Sequence, residues 1–126
     1  VLVGVLVAGG MVATVVGLSQ KALQANAGPC GNHQGAQLQA VIKQDRVMPA
    51  SLQASLCDRL TITNNDHRTR EIAFGQHEHH EAYDGVTEKI LNQGQSMTIL
   101  LNQIGNFRFH DHDDDTVQAT FVVRAL

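Results

Sequence analysis

His77-Glu78-His79-His80 and His110-Asp111-His112 hold five of the seven histidines in this chain. Neutral imidazole is the commonest ligand of transition-metal ions, which need several donors converging at about 2 Å. Residues two apart in an extended chain face the same side, so His110 and His112 can address one ion together. His77 and His80, three apart, converge if their segment turns; His77 and His79 are the pair if it runs extended. A donor set of imidazoles favours zinc, copper, iron or nickel. The other chemistry open to these residues is a pH-sensing surface, or histidines bonded to neighbouring acids. Glu78, Asp84 and Asp111, together with His79, are candidates for an additional ligand or for groups that orient ligand imidazoles. Glu81 and the run Asp113-Asp114-Asp115 read as a solvated acidic rim, and His33 and His67 as surface residues.

The elements that must hold these clusters are strands. Apolar and polar residues alternate, or β-branched and aromatic residues concentrate, over residues 37–42, 60–63, 72–74, 96–101, 107–109 and 120–123. Turn-forming residues punctuate them at 64–66, 84–85, 92–94 and 105–106. Short strands at this spacing predict an all-β antiparallel sandwich or barrel, with each histidine cluster just beyond the end of a strand. Residues 49–56 (PASLQASL) fit a helical turn or an edge strand.

The rest of the chain bounds the function. Its 126 residues allow one domain, 43% of them are apolar, and a net charge of -3 argues against nucleic acid or an anionic membrane surface as the partner. Residues 1–18 carry no charge, and Ala25-Asn26-Ala27 supplies small residues at the spacing a signal peptidase reads. Residues 1–27 are therefore expected to be a secretory signal peptide, whose basic start would lie ahead of Val1, or else a membrane-anchoring helix. Either reading sends the body to the periplasm, the outside or the cell surface, with membrane contact only through that segment. Residues 28–36 are expected to be a flexible lead-in and 37–126 the sandwich. Two cysteines, Cys30 and Cys57, are too few for a Cys-only zinc site and in an oxidising compartment most often pair. Closing a loop of about 27 residues would contribute on the order of 3 kcal/mol.

From Val47 onward the chain resembles the cupredoxins, small Greek-key β-sandwiches that bind copper. Met48-Pro49 followed by Cys57-Asp58-Arg59-Leu60-Thr61-Ile62-Thr63-Asn64-Asn65-Asp66 is similar to their Pro, spacer and GD-x-[VL]-T-[IF]-x-N-x-D segment, with Cys57 where glycine is usual. Asn92-Gln93-Gly94-Gln95-Ser96 resembles their PG-[ED]-S turn, with Gln93 in place of proline. Gly105-Asn106-Phe107-Arg108-Phe109-His110 resembles the G-x-[YF]-x-[FY]-H approach to the copper loop, and Thr120-Phe121-Val122-Val123 the closing strand. The likeness spans about 80 residues, and the order of the motifs is more specific than any one of them.

The resemblance implies a Greek-key sandwich with one ligand from the 77–80 stretch and the others after the 107–109 strand. Asp111 stands where a cupredoxin has its ligand cysteine, and no Cys or Met follows. The chain therefore looks closest to a Cys-less, histidine-rich subgroup, which implies His77, His80, His110 and His112 as a four-imidazole set. Without a thiolate the blue His₂Cys site cannot form, and an all-histidine site suits Cu(II), with zinc the other candidate. The function implied is an exported protein holding one copper ion for sequestration, delivery to a partner protein or electron transfer. A copper or zinc enzyme and a metal-free interaction sandwich are the alternatives.

Overall fold

The computed structural model describes residues 28–126, and period-two patterning becomes alternate burial along several of its ten strands. They are β1 (Gln37–Lys43), β2 (Arg46–Met48), β3 (Ser51–Ser55), β4 (Arg59–Asn64), β5 (Arg70–Gln76), β6 (His79–His80), β7 (Glu88–Leu91), β8 (Ser96–Leu100), β9 (Gly105–Asp111) and β10 (Asp114–Arg124). One sheet runs β2-β1-β4-β8; the other runs β3-β10-β9-β5, and the free side of β5 carries both β7 and β6. Gln34–Leu126 form one unit. The signal or anchor segment, residues 1–27, lies outside the described residues, among which no helix is long and apolar enough to cross a membrane. Both cysteines are disulfide-bonded.

The core fills the space between the sheets. Along β10, Val117, Ala119, Phe121 and Val123 turn inward, and Leu60, Ile62, Met97 and Ile99 meet them from β4 and β8. Each large apolar side chain buried this way stabilises the fold by about 1.5–3 kcal/mol. That packing sets the register that matters below, because a slip of one residue would turn the inner face outward.

Three expectations change in detail. Residues 49–56 resolve to the edge strand β3, paired in parallel with β10. A second parallel pair, β1 with β4, makes the sheets mixed rather than purely antiparallel, because the chain crosses between sheets instead of closing hairpins there. Gly105-Asn106 is not a turn but the start of β9, where Gly105 takes a φ of 142° that a side chain would strain.

Candidate metal centre

The site is built on the outer face of the larger sheet. His110 of β9 pairs with Ala73 of β5, which pairs in turn with Glu88 of β7, so these three stand in one row across three strands. The same face continues along β5 to Glu71, whose carbonyl accepts a 2.7 Å hydrogen bond from the His112 amide. His110 and Asp111 thus lie inside β9 rather than beyond it, and alternation sends His110 and His112 to the outer face and Asp111 inward. Ala73 is fully buried in the centre of the row, where it presents only a methyl group.

The segment after β5 folds back to cover this face. β6 pairs with the end of β5, Gly75 opposite His80 and Gln76 opposite His79. Gly75 is required there: its φ is 86°, and a Cβ would sit 2.7 Å from the Glu81 nitrogen and 2.8 Å from the His79 oxygen. The fold-back brings His77 and His80 over His110 and His112. Ring centres are 5.6 Å apart for His77–His110, 5.5 Å for His77–His112, 5.2 Å for His80–His110 and 5.0 Å for His80–His112. Imidazoles sharing one ion at about 2 Å have their centres on the order of 5 Å apart, which is the spacing of each of these four ring pairs.

The hydrogen bonds decide which nitrogens are free. His110 Nδ1 lies 3.1 Å from the Gly75 carbonyl oxygen, which can only accept, so Nδ1 carries the proton and Nε2 a lone pair. His80 Nδ1 lies 2.6 Å from Glu88 Oε1, which likewise leaves Nε2 bare. The bond to His80 holds the Glu88 carboxyl below its ordinary pKa, against some desolvation, so the acceptor is a carboxylate. Burial lowers the His110 pKa, the neighbouring His80 and Arg108 lower it further, and the neutral form prevails. His80 Nε2, His110 Nε2 and His112 Nδ1 are all buried without a hydrogen-bond partner. Each orphaned nitrogen costs about 1–3 kcal/mol unless something binds it. A carbonyl or carboxylate behind the imidazole is the support that metal-bound histidines characteristically have.

Two donor sets come together within 4.8 Å: His77, His110 and His112, and His80, Glu88 and His112. His77 is the exposed member and His110 the fully buried one. The other candidates are placed elsewhere. His79 is exposed, 3.5 Å from Glu81, and Glu78 is exposed. Asp84 accepts hydrogen bonds from the Leu100 amide and the Asn102 side chain, bracing the loop before β7. Asp111 turns away from the imidazoles: its Oδ2 accepts from Arg70 at 2.8 Å, and its Oδ1 accepts from the Glu71 and Asp113 amides.

Sequence reasoning missed Glu88, Glu71 and Arg70. Glu88 and Glu71 reach the site only through the β5–β7 register, which no spacing in the chain announces. Arg70 is fully buried, and besides Asp111 it bonds Asp66 and Asp45, both at 2.6 Å. Asp66 is itself fixed by its neighbours. Asn64 accepts from the Asp66 amide, and Asp66 accepts from the Gln44 and Asp45 amides.

Among solved structures, a purple cupredoxin from Nitrosopumilus maritimus superposes with a TM-score of 0.60 at 15% identity, covering 68% of this chain and 98% of that one. An oxidised amicyanin variant gives 0.58 at 13% identity, over 69% of this chain and 81% of its own. A reduced Cu(I) form of another amicyanin variant gives 0.59 at 12% identity, over 75% and 89%. The fold is that of the cupredoxins. Family models and curated sequences give no match. Within this cupredoxin fold the donor set is the chain's own, with no sulfur among the converging atoms. The described methionines, Met48 and Met97, belong to β2 and β8 in the opposite sheet.

Proposed function

We propose that this protein binds one copper ion through His77, His80, His110 and His112 and serves in copper sequestration, delivery or electron transfer. The observation that carries the reading is the set of three buried, unpartnered imidazole nitrogens beside an exposed fourth ring. A bound ion would offset their cost, and the hydrogen bonds that His110 and His80 donate to the Gly75 carbonyl and the Glu88 carboxylate already orient two of them. When bound, copper would supply one-electron chemistry; the residues supply a pre-oriented cage. The exposed His77 gives a donor or redox protein a ligand to reach.

A non-blue Cu(II) site rather than a blue centre fits the donors, because both cysteines are disulfide-bonded and no thiolate is available. The disulfide and the segment over residues 1–27 support an exported protein. Zinc is the second reading, favoured by the mixed His80–Glu88–His112 set.

Cu(II) titration followed by absorption and electron paramagnetic resonance tests the proposal. One tightly bound equivalent with nitrogen hyperfine structure and no intense band near about 600 nm is expected for an imidazole-only site. The double variant His110→Ala/His112→Ala should lose tight binding. Retention of stoichiometric binding in that variant would sink the four-histidine site, and displacement of copper by equimolar zinc would favour the zinc reading.

A further inference from the structure

The geometry points to a charge-selective site, in which Glu71 and Glu88 make the imidazole cage favour a divalent over a monovalent ion, so that Cu(II) is retained and Cu(I) released. This rests on the metal-binding reading above and goes on to say which ions the site keeps.

Four neutral imidazoles bring no net charge to the ion. The carboxylates do. Glu88 stands in the row of His110 and Ala73, contacts His80 Nδ1 at 2.6 Å, and lies with donor atoms of His80 and His112 inside 4.8 Å. Glu71 is two residues before Ala73 on the same face, and its carboxyl lies against that of Glu88 and within electrostatic reach of His112. On the inner side, the charge of Arg70 is already matched by three carboxylates, Asp45, Asp66 and Asp111. Arg108 is the nearby cation that acts on His110 in the opposite sense, and its guanidinium is bonded to Gln118. Acidic charge therefore remains in excess around the cage. The donors also lack the thiolate and thioether sulfurs that hold Cu(I).

The attraction between a carboxylate and an ion scales with ionic charge. Removing one carboxylate charge about 5 Å away, at an effective dielectric between that of the protein surface and that of water, weakens a monovalent ion about tenfold and a divalent ion about hundredfold. Glu88→Gln keeps an oxygen that can accept from His80 Nδ1 and so isolates the charge; Glu71→Gln does the same for its partner.

The test measures dissociation constants for Cu(II), Zn(II) and, anaerobically, Cu(I) on the full chain, for wild type, Glu88→Gln, Glu71→Gln and the double variant. Cu(II) and Zn(II) should weaken together, and by about tenfold more than Cu(I) for Glu88→Gln. The double variant should widen that gap. Equal losses for all three ions would show that the carboxylates only hold the imidazoles in place, and unchanged divalent affinity would show that they do nothing; either overturns the inference. A wild-type chain that binds none of the three ions overturns the copper reading and this inference with it. Tight wild-type binding with an unaltered ratio in the variants overturns this inference alone.

Discussion

Arg70 offers a direct test of how the histidine strand is held, because its three carboxylate partners sit at very different depths. Arg70 is fully buried; the Asp111 side chain is 1% exposed and that of Asp45 is 66% exposed. Asp111→Asn removes the charge facing Arg70 Nη1 and leaves one oxygen to serve both Arg70 and the Glu71 and Asp113 amides. Breaking one side of a buried pair costs about 3–5 kcal/mol when the other charge is stranded. Here Asp66 and Asp45 still hold Nη2, so a loss of about 2–4 kcal/mol is expected for Asp111→Asn. Asp45→Asn breaks a bond of 2.6 Å, but to a solvated partner, and should cost less than about 1 kcal/mol. Urea denaturation at constant slope reads both, and for a domain of this size the first corresponds to a fall in Tm of roughly 10–25 °C. Equal losses for the two variants, or a loss below about 1 kcal/mol for Asp111→Asn, would refute the idea that burial of this pair braces the strand.

The remaining expectations concern the floor of the site and its acid limit. Ala73→Val places a branched side chain in the row between His110 and Glu88, so copper affinity should fall at least about tenfold while overpacking costs about 1–3 kcal/mol of stability. Unchanged copper titration in a folded Ala73→Val protein would show that Ala73 is not part of the floor of the site. Burial raises the Asp66 pKa, but hydrogen bonds from Arg70 and from the Asp45 and Gln44 amides outweigh it and leave the pKa below its ordinary value. A depressed folded pKa contributes stability that is present above the unfolded value, about 3.9, and is lost as pH falls through the folded value. Denaturation series between pH 5 and pH 2 should therefore show a steep loss for wild type and a shallower one for Asp66→Asn; parallel curves would remove Asp66 from the acid transition.

How much of this was legible in the sequence depended on whether a strand carried its own pattern. β1, β4, β5, β8, β9 and β10 contain the six alternating or apolar runs, because their inner faces are buried and the alternation reports it. β2, β6 and β7 have three, two and four residues, too few to display a period even though Val47 and Leu91 reach the core, so only pairing with neighbours makes them strands. β3 was ambiguous because Leu52, Gln53 and Ala54 suit a helix as well as an edge strand. Cys57, where the motif expects glycine, has a φ of 75°: the backbone keeps glycine's conformation although the residue does not. The N-x-D motif likewise becomes intelligible only in three dimensions. Asn64 binds the Arg68 and Leu91 carbonyls and caps Asp66, which in turn holds Arg70. The four histidines were legible as types and spacings, but Glu88 and Glu71 were not, since strand register rather than sequence separation brings them to the site.

The shortness of one hairpin explains why two histidines must come from elsewhere. Asp111 pairs with Asp114, so only His112 and Asp113 lie between β9 and β10. A connection that tight can present His110 and His112 on one face but has no length to loop back with a third donor. Asp113 contributes its amide to Asp111 and helps fix the turn. The missing donors have to arrive from the facing segment, and the chain between β5 and β7 is long enough to fold β6 back over the sheet. Gly75 makes that fold-back sterically feasible and, through its carbonyl, sets the tautomer of His110. One residue thus couples the covering segment to the deepest imidazole. Any substitution at Gly75 should disturb His77 and His80 through the backbone and His110 through its hydrogen bond, whereas a change in the exposed Asp115 should disturb none of them.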